Sequence, residues 1–144
     1  MSTDFLATMA ASSRARVQNA LAGCVRAEME RRALASPVPP ALVLSPRGFD
    51  IIAETKLRSP ALGALRAAVD EDTAARVQTY AAAGAAAVSV LTEPSRFDGS
   101  LQHLAQAAAA LAVARVPAMR KDFRVDTYQV MEARVAGAGG VLVI

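Results

Sequence analysis

Ile51-Ile52-Ala53-Glu54-Thr55-Lys56-Leu57-Arg58-Ser59-Pro60 is an apolar run that ends in ionisable residues, and Met119-Arg120-Lys121-Asp122-Phe123 repeats the pattern. Burying Glu and Lys without a purpose is costly, so a strand that presents them at its C-terminal end is delivering chemistry. Outward from these two stretches the chain alternates. Phe49 to Lys56 reads as a strand. Asp72 to Ala83 reads as a helix that begins after acidic residues and stops at Gly84, and Ala86 to Leu91 as the next strand. Ser100 to Val113 carries Leu101, Leu104, Ala108 and Leu111 on one helical face, and Val116 to Lys121 is a third strand. Asp126 opens another helix with Gln129 as its capping-box partner, Gly137 closes it, and Gly140 to Ile144 opens a fourth strand.

Ahead of this alternation, Val17, Leu21, Cys24, Val25 and Met29 recur on one side of a single amphipathic helix predicted from about Ser13 to Leu34. Ser36-Pro37-Val38-Pro39-Pro40 stops it, and Ala41 to Gly48 is an irregular lead-in. The order is therefore helix, then strand-helix three times, then strand. Continuous apolar strands separated by helices imply a parallel sheet covered by helices on at least one face. Both a doubly wound open sheet and part of an eight-fold barrel fit this order.

Composition bounds the function. In 144 residues, 53% hydrophobic and 20% charged content describes a globular chain with one core. The net charge of +3 is spread without a basic run or interleaved aromatics, which argues against nucleic acid and is compatible with a small phosphorylated ligand. Cys24 is the single cysteine, so no internal disulfide is expected and a reducing cytoplasm is the expected location. Met1 to Leu6 does not read as a secretory signal, and Ala81 to Leu91 is too short for a bilayer that needs about 20 apolar residues. His103 lies among glutamines with no second ligand at metal spacing, and no glycine-rich fingerprint follows a strand. Neither a metal nor a nicotinamide or flavin cofactor is expected.

Glu54 and Lys56 are two residues apart, so on a strand they share a face while Thr55 points to the other. On a barrel interior such a pair would keep an ammonium ready to hold a carboxylate or phosphate. The spacing alone equally allows a surface ion pair on an edge strand. Lys121 closes the third strand, where burial and neighbouring charge can fit a lysine for general-acid work; in isolation it would read as a solvated lysine beside a helix.

Three motifs together are more specific. Ile52-Ala53-Glu54 with Lys56 and Ser59-Pro60, then Ser89-Val90-Leu91-Thr92-Glu93-Pro94 with Phe97 and Gly99-Ser100, then Arg120-Lys121-Asp122-Phe123 with Tyr128-Gln129, closely resemble indole-3-glycerol phosphate synthases. Glu132-Ala133-Arg134 and Gly137-Ala138 extend the likeness, which covers nearly the whole chain. The resemblance implies a (β/α)8 TIM barrel with an N-terminal helical extension over residues 1–48, and a barrel portion over residues 49–144 that reaches the fourth strand. It implies ring closure of a phosphorylated anthranilate–deoxyribulose adduct with loss of carbon dioxide and water, in tryptophan biosynthesis. Lys121 would protonate the substrate carbonyl, Lys56 would hold the substrate carboxylate and assist proton transfer, and Glu54 would orient or relay to both amines. Ser59 would lie near the phosphate, and Phe97, Phe123 and Leu142 would line the pocket for the aromatic ring. Three positions depart from the family pattern: Thr55 stands for a larger apolar residue, Leu57 for a basic one, and Ala61 for the second serine of a Ser-Pro-Ser stretch.

A full barrel of this kind needs about 250 residues. The resemblance places a catalytic glutamate and the glycine-rich phosphate loops on later strands, so these 144 residues are expected to be inactive by themselves. Four parallel strands with an open interior would expose two edges and an apolar face, which favours self-association or a partner chain. A non-catalytic half-barrel and a different phosphate-binding barrel enzyme are the alternative readings; the Glu54/Lys56 pair and Lys121-Asp122-Phe123 argue against the latter.

Overall fold

A computed structural model describes residues 3–65 and 72–144. Two helices lead, α1 (Thr3–Gly23) and α2 (Arg26–Ala35). They are followed by β1 (Ile52–Thr55), a short hairpin of β2 (Arg58–Ser59) and β3 (Gly63–Ala64), and α3 (Thr73–Ala82). Then come β4 (Ala87–Leu91), α4 (Pro94–Phe97), α5 (Leu101–Leu111), β5 (Ala118–Lys121), α6 (Tyr128–Val135) and β6 (Gly140–Val141).

The main sheet is parallel and runs β1-β4-β5-β6. Each strand lies beside its predecessor, with no reversal of order, whereas a doubly wound sheet turns back at a switch point. The helices also share one side. Val88, Val90 and Ala118 of the sheet pack with Val77 of α3, Leu104, Ala107 and Leu111 of α5, and Ala133 of α6 in one buried cluster. A sheet wound in one direction and covered on one face is a segment of a barrel, so the open-sheet alternative falls. The opposite face carries Ile52, Glu54, Ser89, Met119 and Lys121, and Phe49, Ile51 and Ile52 are exposed.

The helix caps follow the chemistry of the sequence. Asp72 caps α3 by accepting from the Ala75 N–H at 2.9 Å, and Gly84 ends that helix at φ +90°. Ser100 caps α5 by accepting from the His103 N–H. The Gln129 side chain accepts from the Val125 and Asp126 N–H groups, while Asp126 accepts from Tyr128, so the expected reciprocal cap is present in modified form. The acidic residues Asp70 and Glu71 ahead of α3, and Met1-Ser2 of the N-terminus, lie outside the described residues.

Three expectations require correction. The leading segment is two helices rather than one, and the first starts about ten residues earlier than Ser13. It breaks at Gly23-Cys24-Val25, where Val25 is extended at φ −64°, ψ 154°. The Tyr128 hydroxyl donates to the Cys24 carbonyl at 2.8 Å, so the corner takes part of its hydrogen bonding from α6 instead of from the next helical turn. The first strand spans four residues rather than eight, and the fourth only Gly140–Val141, because few ladder bonds reach the outer residues of edge strands. The β2–β3 hairpin and α4 were not anticipated, being too short to leave a periodic pattern.

Candidate active site

The parallel register builds the site from alternation. Glu54 lies opposite Ser89, and Ser89 opposite Met119, so the side chains of these positions share the inner face. One step on, Lys56 and Leu91 fall level with Lys121, which pairs with Leu91. The result is a shared carboxylate. Lys56 Nζ is 2.7 Å from Glu54 Oε1, and Lys121 donates to Glu54 Oε2, so one carboxylate bridges amines from two non-adjacent strands.

Burial raises the Glu54 carboxyl, but hydrogen bonds and charge from Lys121 and Lys56 outweigh it and hold the group below the usual carboxylate range. The two lysine side chains remain 36% and 37% exposed. Solvent therefore screens both pairs, and each contributes at most about 1 kcal/mol to folding. The arrangement is better suited to chemistry than to stability: two ammonium groups beside one carboxylate can hold an anion and move a proton. Within the described sheet β1 is an edge strand, and the Glu54–Lys56 pair lies on its inner face.

Leu142 follows Val141, which pairs with Arg120, so it falls level with Lys121; its N–H donates to the Arg120 carbonyl. Phe97 and Phe123 meet with ring centroids 6.2 Å apart at 34°. Phe97 is delivered by a tightly built corner. Glu93, fully buried, caps α4 by accepting from the Ser95 and Arg96 N–H groups, and Asp98 turns the chain at φ 55°. Gly99 follows where an added Cβ would come within 2.4 Å of the Leu91 carbonyl oxygen. Ser59 lies on β2, which packs against α4 and whose Arg58 pairs with Asp98 at 3.1 Å. Of the departures, Thr55 is buried on the helix side and Leu57 is also buried, so both positions are spent on packing.

Behind Lys121 lies a polar cluster that the motif reading passed over. Asp122, fully buried, accepts from both terminal nitrogens of Arg16 at 2.8 and 2.9 Å, from Thr92 Oγ1 at 2.8 Å and from Arg120 Nη2 at 3.1 Å. Arg120, 2% exposed, also donates to the Gln129 carbonyl and to Glu132. Gln129 donates to Ser13 of α1 at 2.7 Å. Burial pushes the Asp122 carboxyl up, but Arg16, Arg120 and Thr92 prevail and lower it to about 2. The signal was available: in Arg120-Lys121-Asp122, alternation sends the first and third side chains away from the second. A cavity of about 250 Å³ borders this cluster on the helix side, lined by Arg16, Thr92, Arg120 and Glu132 among others, with the sheet between it and the lysines.

The family model for indole-3-glycerol phosphate synthase matches residues 6–144. A protein of that name from Salinibacter ruber is 47% identical over 108 residues, covering 75% of this chain and 38% of the relative. One from Nocardioides sp. is 53% identical over 97 residues, covering 67% of this chain and 35% of the relative. The Streptomyces coelicolor protein named indole-3-glycerol phosphate synthase 2 is 44% identical over 124 residues, covering 83% and 46%. The chain thus spans between about a third and a half of the length of these curated relatives.

Proposed function

The chain belongs to the indole-3-glycerol phosphate synthase family, and from that premise we propose that its inner face carries the proton-donating side of the family's ring closure. Its four parallel strands are then part of a (β/α)8 barrel. The observation that carries the reading is the Lys56–Glu54–Lys121 bridge, which sets two amines from separate strands around one carboxylate at the C-terminal ends of the strands.

The substrate class is the phosphorylated anthranilate–deoxyribulose adduct. Its aromatic carboxylate needs a counter-charge until it leaves as carbon dioxide, and Lys56 supplies it. As the ring carbon attacks the carbonyl, negative charge develops on the carbonyl oxygen, and Lys121 donates the proton that quenches it. Glu54 holds both ammonium groups in place before the substrate arrives. Phe97, Phe123 and Leu142 form apolar walls for the benzene ring, and Ser59 lies toward the phosphate. The hydroxyl formed at ring closure then departs as water, which completes the aromatic indole.

The adduct is itself fluorescent through its anthranilate group, so titration against the chain tests the reading. Saturable binding is expected, weakened roughly tenfold by Lys56→Ala through loss of a charge-assisted contact. Binding indifferent to Lys56 would refute the assignment. The pure 144-residue protein is expected to bind without turnover. Turnover abolished by Lys121→Ala would show instead that these residues alone complete the reaction.

A further inference from the structure

Thr92 follows the last residue of β4 and is buried, and the bonds made by its hydroxyl and its N–H all run to one tripeptide on the next strand. Its N–H donates to the Lys121 carbonyl at 3.0 Å. Its hydroxyl accepts from Arg120 Nε at 3.1 Å and donates to Asp122 Oδ2 at 2.8 Å. A hydroxyl has one proton to give, and here it is used as donor and acceptor at once. Thr92 therefore holds Lys121 by its own backbone and by the residues on either side of it. Those two flanking side chains are fixed in turn from further away: Arg16 of α1 grips Asp122, while the Gln129 carbonyl and Glu132 of α6 grip Arg120.

The staple matters because Lys121 sits where the sheet gives out. It is the last residue of β5, and the pairing with β6 on its other side reaches only Arg120. From there its ammonium must reach across β4 to Glu54 of β1. A long side chain follows the placement of its Cα, and misplacing a reacting group by about 1 Å costs about a hundredfold in rate. Thr92 itself lies on the helix side, bordering the cavity there, and is screened from the inner face by the sheet. We propose that Thr92 is a positioning residue for the proton donor, through which the docked helices α1 and α6 set where the Lys121 amine stands. The inference rests on the role given to Lys121 above and extends it to a residue that touches no ligand.

Lys56 and Lys121 are the only lysines of the sequence, so labelling the whole chain with 13C-lysine gives two side-chain signals, told apart by Lys56→Arg. Glu54→Gln breaks the shared bridge and is expected to shift both signals. In a Thr92→Val background most of the Lys121 shift is expected to disappear while the Lys56 shift is kept, and Thr92→Ser, which retains the hydroxyl, is expected to restore it. A Lys121 signal that answers Glu54→Gln equally with Thr92 and with valine overturns the proposal. So does loss of both responses together, which assigns Thr92 to packing, or a serine variant that behaves like the valine one. Should Thr92→Val not fold, Thr92→Cys, which nearly keeps the volume and weakens both hydrogen bonds, is read by the same outcomes. Adding the phosphorylated adduct separates this inference from the proposed function. Wild-type lysine signals that ignore the adduct defeat that function and leave the Thr92 result standing, whereas an adduct-induced Lys121 shift that is the same in wild type and Thr92→Val keeps the function and removes Thr92 from it.

Discussion

Asp122 gathers Arg16, Arg120 and Thr92 around one buried carboxylate, and it lies next to the proposed acid rather than in the site. Its removal strands Arg16 and leaves Arg120 with Glu132 as its remaining anion. Asp122→Asn leaves Arg16 and the buried Arg120 without their shared anion, at an expected cost of about 3 kcal/mol in a denaturant titration. The pH dependence has a definite sign. A carboxyl lowered from 3.8 to about 2 contributes stability that is fully present above the unfolded value and is lost as pH falls through the folded one. Wild-type stability should therefore drop by about 2 kcal/mol between roughly pH 5 and pH 2 through this group, and the Asp122→Asn variant should lack that component. Equal acid sensitivity of the two proteins would remove Asp122 from this role.

At the scale of elements, two corners decide where side chains arrive. The corner after β4 is crowded by design of its backbone: Gly99→Ala places a methyl group against the Leu91 carbonyl, so the loop must move. Loss of more than about 2 kcal/mol is expected, together with a displaced Phe97 that weakens anthranilate binding. The α1–α2 corner depends on Tyr128, itself fully buried, and Tyr128→Phe should cost about 1 kcal/mol by leaving the Cys24 carbonyl short of a partner. Calorimetry on the two variants separates these effects, since only the first should alter binding.

These elements also show what a sequence can reveal. Period-two alternation foretold that Glu54 and Lys56 share a face, and the capping residues Asp72 and Ser100 marked the starts of their helices to within a residue. The break between α1 and α2 was hidden because its hydrogen bond comes from Tyr128, more than a hundred residues away in the chain. The meeting of Lys121 with Glu54 was equally non-local: it depends on the register of β4 with both neighbours, which no local pattern specifies. The buried Met9 was overlooked because it precedes Ser13, the expected start of its helix, so the buried stripe of that helix was read only from Val17 onward.

For the molecule as a whole, the helix side is closed and the inner side is not. Val77, Val88, Leu104 and Leu111 are fully buried, whereas Ile51 and Ile52 at β1, and Val143 and Ile144 after β6, are exposed. Among the described residues no helix is long and apolar enough to cross a membrane. The family match places the exposed strands in the wall of a barrel, and the curated relatives are two to three times as long as the matched region. The central claim, that Lys121 is the proton donor, is tested most directly by joining residues 1–144 to the remaining portion of the 53%-identical Nocardioides relative and measuring conversion of the adduct. The fusion is expected to turn over, and Lys121→Ala to reduce its kcat by at least about a hundredfold with binding of the adduct retained. A folded fusion whose kcat is unchanged by Lys121→Ala would contradict the account.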